Sequence, residues 1–325
     1  MTAPDQLNSV TSSDSPDSFV IDPAAHVGVV ALTVANLARS LAFYSNALGF
    51  TVLDRTERDA VLAVAGTPLL LLHEQPGALP WMIDAATGLY HFAILLPTRE
   101  DLGGWLRHYL TTDFPPPGQG DHIVSEALYL RDPDGHGIEV YADRPREGWR
   151  WVDGRVQMGG GPVDLRGILA DGTAKPWTGL LPAGTKIGHI HLQVGDIAAA
   201  EAFYHGILGF AVTAQIPQAA LFVSAGGYHH HIGMNTWHSE GAGPAPDDTA
   251  QLRFYTLDLP SQEARDAVVA SIQAAGLDAT RPRQSNDVVI VRDPWQNVIV
   301  LQAGAADDAQ TAQALTAAFS SASEK

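Results

Sequence analysis

The stretches ANLARSLAFYSNALGF (35–50) and GDIAAAEAFYHGILGF (195–210) decide how this chain is organised, because they are two copies of one unit. Both carry AFY and LGF at the same spacing. Both place apolar residues at helical intervals and stop at a glycine, Gly49 or Gly209, the residue that most easily adopts left-handed backbone after a helix. Ahead of each lies an alternating apolar strand, HVGVVALTV (26–34) or KIGHIHLQV (186–194). Behind the first come FTVLDRT, AVLAVAG and PLLLLHE, and behind the second FAVTAQIP, ALFVSAGG and HHIGMNTW. These read as short strands.

A second kind of unit follows each copy. GLYHFAILLPTREDLGGWLRHYL (88–110) leads into GDHIVSEALYLRDPDGHGIEVY (120–141), and QLRFYTLDLPSQEARDAVVASIQAAG (251–276) leads into DVVIVRDPWQNVIVLQ (287–302). In both, a proline (Pro97, Pro260) precedes a hydroxyl residue (Thr98, Ser261) that suits a helix N-cap. The spacing predicts an α+β protein of four β-α-β-β-β modules in two pairs. The expected division is a disordered arm over 1–22, modules one and two over 23–145, a Gly-, Pro- and Trp-rich connector over 146–184, modules three and four over 185–303, and an Ala-rich tail over 304–325 that is a peripheral helix or disordered. Repeats of this size must stack on one another to bury their sheets.

Composition narrows the function. The 325 residues hold no cysteine, so disulfides, thiolate chemistry and cysteine metal sites are excluded and any metal falls to His, Asp or Glu. A formal charge of −17 argues against nucleic acid and against anionic membranes, both of which need a basic footprint. The start of the chain lacks the basic and apolar runs of a signal peptide, and no apolar stretch is long enough to span a bilayer. The expectation is a cytoplasmic protein.

The four modules, with AFY…LGF in the first and third, resemble the vicinal oxygen chelate superfamily, which implies two glyoxalase/extradiol-dioxygenase-like domains with curved mixed sheets. The resemblance spans residues 26–302. Gly120, His122, Leu128, Tyr129, Asp132, Pro133, Gly135 and Glu139 fit, in order and spacing, the signature of extradiol ring-cleaving dioxygenases. GLYHFAILLP, SEALYLRDPDG, IEVYADRP and GGYHHHIGMNTW are together similar to the bacterial catechol 2,3-dioxygenase group. That resemblance implies Fe(II), with Mn(II) as the alternative, a small aromatic diol and O2 as substrates, and allows a homo-oligomer. Two imidazoles and one carboxylate suit such a metal because they leave three adjacent positions open.

Strand parity alone leaves Glu139 either on a solvent face or in a cavity; the resemblance implies that it is the carboxylate ligand and His91 an imidazole ligand. The other histidine departs from the commoner arrangement. In module one the aligned position is Val29, and His26 has the opposite parity. Module three has His189 there, with His191 on the same strand face as the alternative. Modules two and three are therefore expected to build the metal site. Module four has Phe254 and Val300 at its ligand positions and is expected to hold no metal. The resemblance further implies that His122 and Tyr129 contact substrate oxygens. It places the acid–base histidine at His231, with His230 the competitor, since only alternate residues of His229–His231 share a strand face. Competing functions on the same fold are a glyoxalase-like isomerase or lyase with a redox-inert metal, and a small-molecule binding protein without turnover. The tryptophans Trp149, Trp151 and Trp177 either shape the pocket mouth or cover a sheet, and DPWQN (293–297) reads as a structural copy of the DPDG turn.

Overall fold

A computed structural model of the chain describes residues 19–81, 86–282, 288–306 and 310–315. The expected arm lies almost wholly outside these residues, as does most of the tail. The helix over 37–43 begins at Asn36, whose side chain accepts from the Arg39 N–H. It runs into a wider π turn, Tyr44–Leu48, and ends at Gly49 with φ 91°. Gly209 closes the second copy with φ 78°. The N-caps anticipated at Thr98 and Ser261 are formed, each hydroxyl accepting from the N–H three residues on.

The repeated AFY and DP elements have one physical explanation. Tyr44 donates its hydroxyl to Asp132 at 3.0 Å, and Tyr204 donates to Asp293 at 2.9 Å. Each aspartate also organises its own turn: Asp132 accepts from the Asp134 and His136 N–H groups and from His136 Nδ1. Asp293 accepts from Trp295 N–H and from both nitrogens of Asn297. A helix of one module is thus pinned to a hairpin of the next, and DPWQN does repeat the architecture of DPDG. Asp132 and His136 have fully buried side chains. Asp132→Ala would strand His136 and the Tyr44 hydroxyl without an acceptor. We expect it to lower unfolding free energy by about 3–5 kcal/mol in urea denaturation; a loss below about 1 kcal/mol would contradict this role.

The four modules make two mixed sheets, each drawing strands from both halves of the sequence. One runs, in spatial order, through residues 211–216, 220–224, 232–235, 186–193, 88–95, 137–143, 125–131 and 118–121. It joins modules three and two through the antiparallel pair 186–193 and 88–95, in which His191 faces His91 and His189 faces Ala93. The other sheet runs through 288–292, 298–303, 252–259, 26–34, 67–74, 59–64 and 51–55, joining modules four and one. The main core collects one face of both, including Phe92, Ile94, Ile138, Val140, Ile190 and Leu192 from the first.

Alternation then sends His91, Glu139, Tyr141, Asp143, His189 and His191 to the opposite face of the first sheet. The equivalent face of the second sheet carries an apolar cluster. Val29, Phe254 and Val300 pack there with Val61, Leu71 and Ile290, and Ala306, Ala312 and Leu315 complete the cluster. The described part of the Ala-rich tail is helical over 310–315 and one-sided, burying Ala312 and Leu315 against this face while Gln310, Gln313 and Ala314 stay exposed. Among the described residues, no helix is long and apolar enough to cross a membrane.

Candidate metal centre

His91 comes from the central strand 88–95, Glu139 from its parallel neighbour and His189 from its antiparallel neighbour. Ligand atoms of the three lie within 4.8 Å of one another, and all three residues are buried. Glu139 Oε2 is 3.0 Å from His91 Nε2 and 3.2 Å from His189 Nε2. His91 Nε2 is nonetheless buried without a hydrogen bond of acceptable geometry. A buried polar nitrogen aimed at a carboxylate it does not properly bond is costly, and a cation between the three groups removes that cost. Burial is the largest influence on Glu139 and opposes its charge, but the adjoining His189 and His91 outweigh it and hold the carboxyl well below its ordinary range. Burial dominates at His91 and His189 and lowers both, despite Glu139. The set therefore stands as one carboxylate and two neutral imidazoles, the forms that bind a divalent ion.

His191, the alternative ligand, is on the same face but otherwise engaged. Its Nε2 accepts from the Asn235 amide at 2.9 Å, and its ring packs 4.9 Å from that of His91.

The trio sits on the wall of a cavity of about 1450 Å³. His122 and Tyr129 are on the same wall. His122 Nδ1 donates to Gly159 O at 2.9 Å, and its Nε2 is hydrogen-bonded to the Tyr129 hydroxyl at 2.5 Å. Tyr129 is directly across the strand pair from Glu139. Burial, reinforced by that carboxylate, raises its hydroxyl well above the ordinary tyrosine value, so it stays a hydrogen-bond donor. The connector contributes a short hairpin, residues 151–152 and 155–156, and the following segment to Gly161 closes one side of the cavity. Of the connector tryptophans, Trp149 is buried against Tyr228 and His229 and Trp177 stacks on His108; none of the three is on the cavity wall.

The structure brings His91, His122, Tyr129, Glu139 and His189 together and leaves His231 out. His231 Nδ1 is bonded to the Ser224 hydroxyl and the Ala225 N–H, while His230 lines the cavity, its ring 4.1 Å from that of His189. The reason is local. The strand begins only at Ile232, so His229–His231 lie in a bend where alternation does not apply. Sequence reasoning also passed over Tyr141 and Asp143, although both share the parity of Glu139, and over Tyr228. Burial, with His26, His229 and Lys186 nearby, pushes the His231 imidazole down to about 3. The unfolded chain then binds a proton that the folded chain refuses between that value and the ordinary one near 6.5. This contribution to stability is complete above pH ~6.5 and declines as pH falls, with a slope of about 1.4 kcal/mol per pH unit. In metal-free protein, His231→Gln should flatten the dependence of unfolding free energy between pH 4 and 6 by about that slope. An unchanged slope would contradict it.

A family model described as the glyoxalase/bleomycin resistance protein/dioxygenase superfamily matches residues 25–140 and 186–301. A catechol-2,3-dioxygenase of Bacillus subtilis (strain 168) is 46% identical over 272 residues, covering 83% of this chain and 94% of that protein. Biphenyl-2,3-diol 1,2-dioxygenase 2 of Rhodococcus globerulus is 30% identical over 132 residues, 40% of this chain and 62% of that one. Among solved structures, glyoxalase I from Zea mays superposes with a TM-score of 0.53 at 14% identity, covering 92% of this chain and 96% of that one. At that identity the likeness concerns fold alone.

Proposed function

The chain belongs to the glyoxalase/bleomycin resistance protein/dioxygenase superfamily, within its extradiol ring-cleaving dioxygenases of the catechol 2,3-dioxygenase group, and from that premise we propose that it cleaves catechol or a substituted catechol with O2 to a 2-hydroxymuconate semialdehyde. The observation that carries this reading is the convergence of His91, Glu139 and His189 on one point of the cavity. These three side chains are proposed to hold Fe(II). Bound there, the ion would supply the redox chemistry and the positions for both catechol oxygens and dioxygen.

The protein's own part is positioning and proton management. Tyr129 and His122 form one hydrogen-bonded pair on the wall beside Glu139, placed to bond a substrate oxygen. His230 is proposed as the acid–base residue in place of His231, since it reaches the cavity. Burial and the neighbouring His189 and His229 lower its imidazole well below the ordinary value, which keeps the ring neutral before substrate binds. The site's donors come as two imidazoles and one carboxylate. A glyoxalase-like isomerase, which usually adds a fourth protein ligand, is less well served.

The test is product identity. Protein loaded with Fe(II) without oxygen, then given catechol and O2, should form the yellow ring-opened semialdehyde with one O2 consumed per catechol. A metal-loaded protein that consumes no O2 with catechol, yet isomerises a thiol–aldehyde adduct, would contradict the reading.

A further inference from the structure

Asp143 and His229 have no place in the chemistry proposed so far, yet they connect a cavity histidine to a carboxylate. Asp143 ends the strand that bears Glu139 and has the same parity. Its side chain is 20% exposed, against 3% for Glu139, and it borders a small polar cleft with Arg99 and Arg144.

A carboxylate only accepts hydrogen bonds, and a chain of donors ends on this one. His229 Nε2 donates to Asp143 at 3.0 Å. With its proton on Nε2, His229 offers a lone pair at Nδ1, which lies 2.7 Å from His230 Nδ1. His230 Nδ1 must supply the proton. Its Nε2, on the cavity-lining ring, is left as the lone-pair base. Tyr141 stands beside this chain, its hydroxyl 2.7 Å from that of Tyr228 and 3.2 Å from His189 Nδ1.

We propose that Asp143 is a positioning residue that fixes the tautomer of His230 through His229. The catalytic consequence rests on the ring-cleavage reading above: His230 Nε2 is presented as the base for a substrate proton. The fold supports the arrangement at close range. His229 is wedged between Trp149 and Tyr228, which holds its plane.

Asp143→Asn substitutes an amide able to donate where only an acceptor served. In the Fe(II)-loaded enzyme we expect kcat for catechol to fall by about a hundredfold or more with KM changed less than about threefold, as for other carboxylates that set a histidine tautomer. Asp143→Glu should recover at least a tenth of the lost rate. His229→Phe keeps the ring packing and breaks the chain, so its loss and that of Asp143→Asn should not multiply in the double variant. A second readout needs no turnover. In Zn(II)-loaded protein labelled with nitrogen-15 histidine, the wild type should show a protonated Nδ1 and an unprotonated Nε2 at His230, and Asp143→Asn should change that pattern. Undiminished kcat in Asp143→Asn, or an unprotonated His230 Nδ1 in the wild type, would overturn the proposal. If the wild type does not cleave catechol the ring-cleavage reading fails, while the imidazole pattern still decides this one.

Discussion

Glu139→Ala should reduce catechol cleavage by about a thousandfold or more, on the order of 4 kcal/mol of barrier, because it removes the anionic member of the metal set. The same variant should lose tight binding of Fe(II), measured by metal content after gel filtration. It should not lose the fold. The carboxylate is buried with an exposure of 2% and is hydrogen-bonded to His189 Nε2 at 3.2 Å, so its removal costs about one charge-assisted hydrogen bond. Metal-free Glu139→Ala is therefore expected to unfold within about 3 kcal/mol of metal-free wild type. Retained activity, or retained stoichiometric iron, would remove Glu139 from the centre.

The second large effect separates two neighbours in one tripeptide. His230→Phe preserves an aromatic ring against His189 and Phe222 but removes the nitrogen facing the cavity. Loss of a general acid–base group costs about 10²–10⁴ in rate. We expect that fall in kcat with iron content unchanged. His231→Gln should change kcat less than about threefold, because His231 bonds to Ser224 and Ala225 away from the cavity. The reverse ranking would return the proton chemistry to His231 and would mean that the bend rearranges when substrate binds.

Much of the architecture could be read from residues with unambiguous local physics. The two AFY…LGF copies, the capping residues Thr98 and Ser261 and the glycines Gly49 and Gly209 each dictate a local geometry, and together they define four modules. The pairing of modules two and three followed from ligand chemistry, since Val29, Phe254 and Val300 offer no donor. Other features depended on information that strand alternation does not carry. His229–His231 bend before their strand starts, so parity does not tell which of them faces the cavity. The burial of Ala312 and Leu315 depends on a concave apolar face assembled from strands more than 200 residues apart in sequence, such as Val29 and Val298. Asp143 was within reach of parity, but its importance is visible only once His229, distant in sequence, is seen to bond it.

The AFY tyrosines show how the levels connect. Tyr44 and Tyr204 recur because each satisfies a buried aspartate in the following module. Those aspartates shape the hairpins, and the Asp132 hairpin carries Tyr129 on one arm and Glu139 on the other. A repeat first noticed as a sequence pattern thus ends two steps from the proposed iron.

The most direct measurement is anomalous diffraction at the iron edge from crystals of the Fe(II)-loaded protein soaked anaerobically with catechol. The account predicts one iron site per chain, bound by His91, Glu139 and His189, with both catechol oxygens on the metal and His230 facing them. An iron held by other residues, or placed on the apolar face formed by modules one and four, would contradict it.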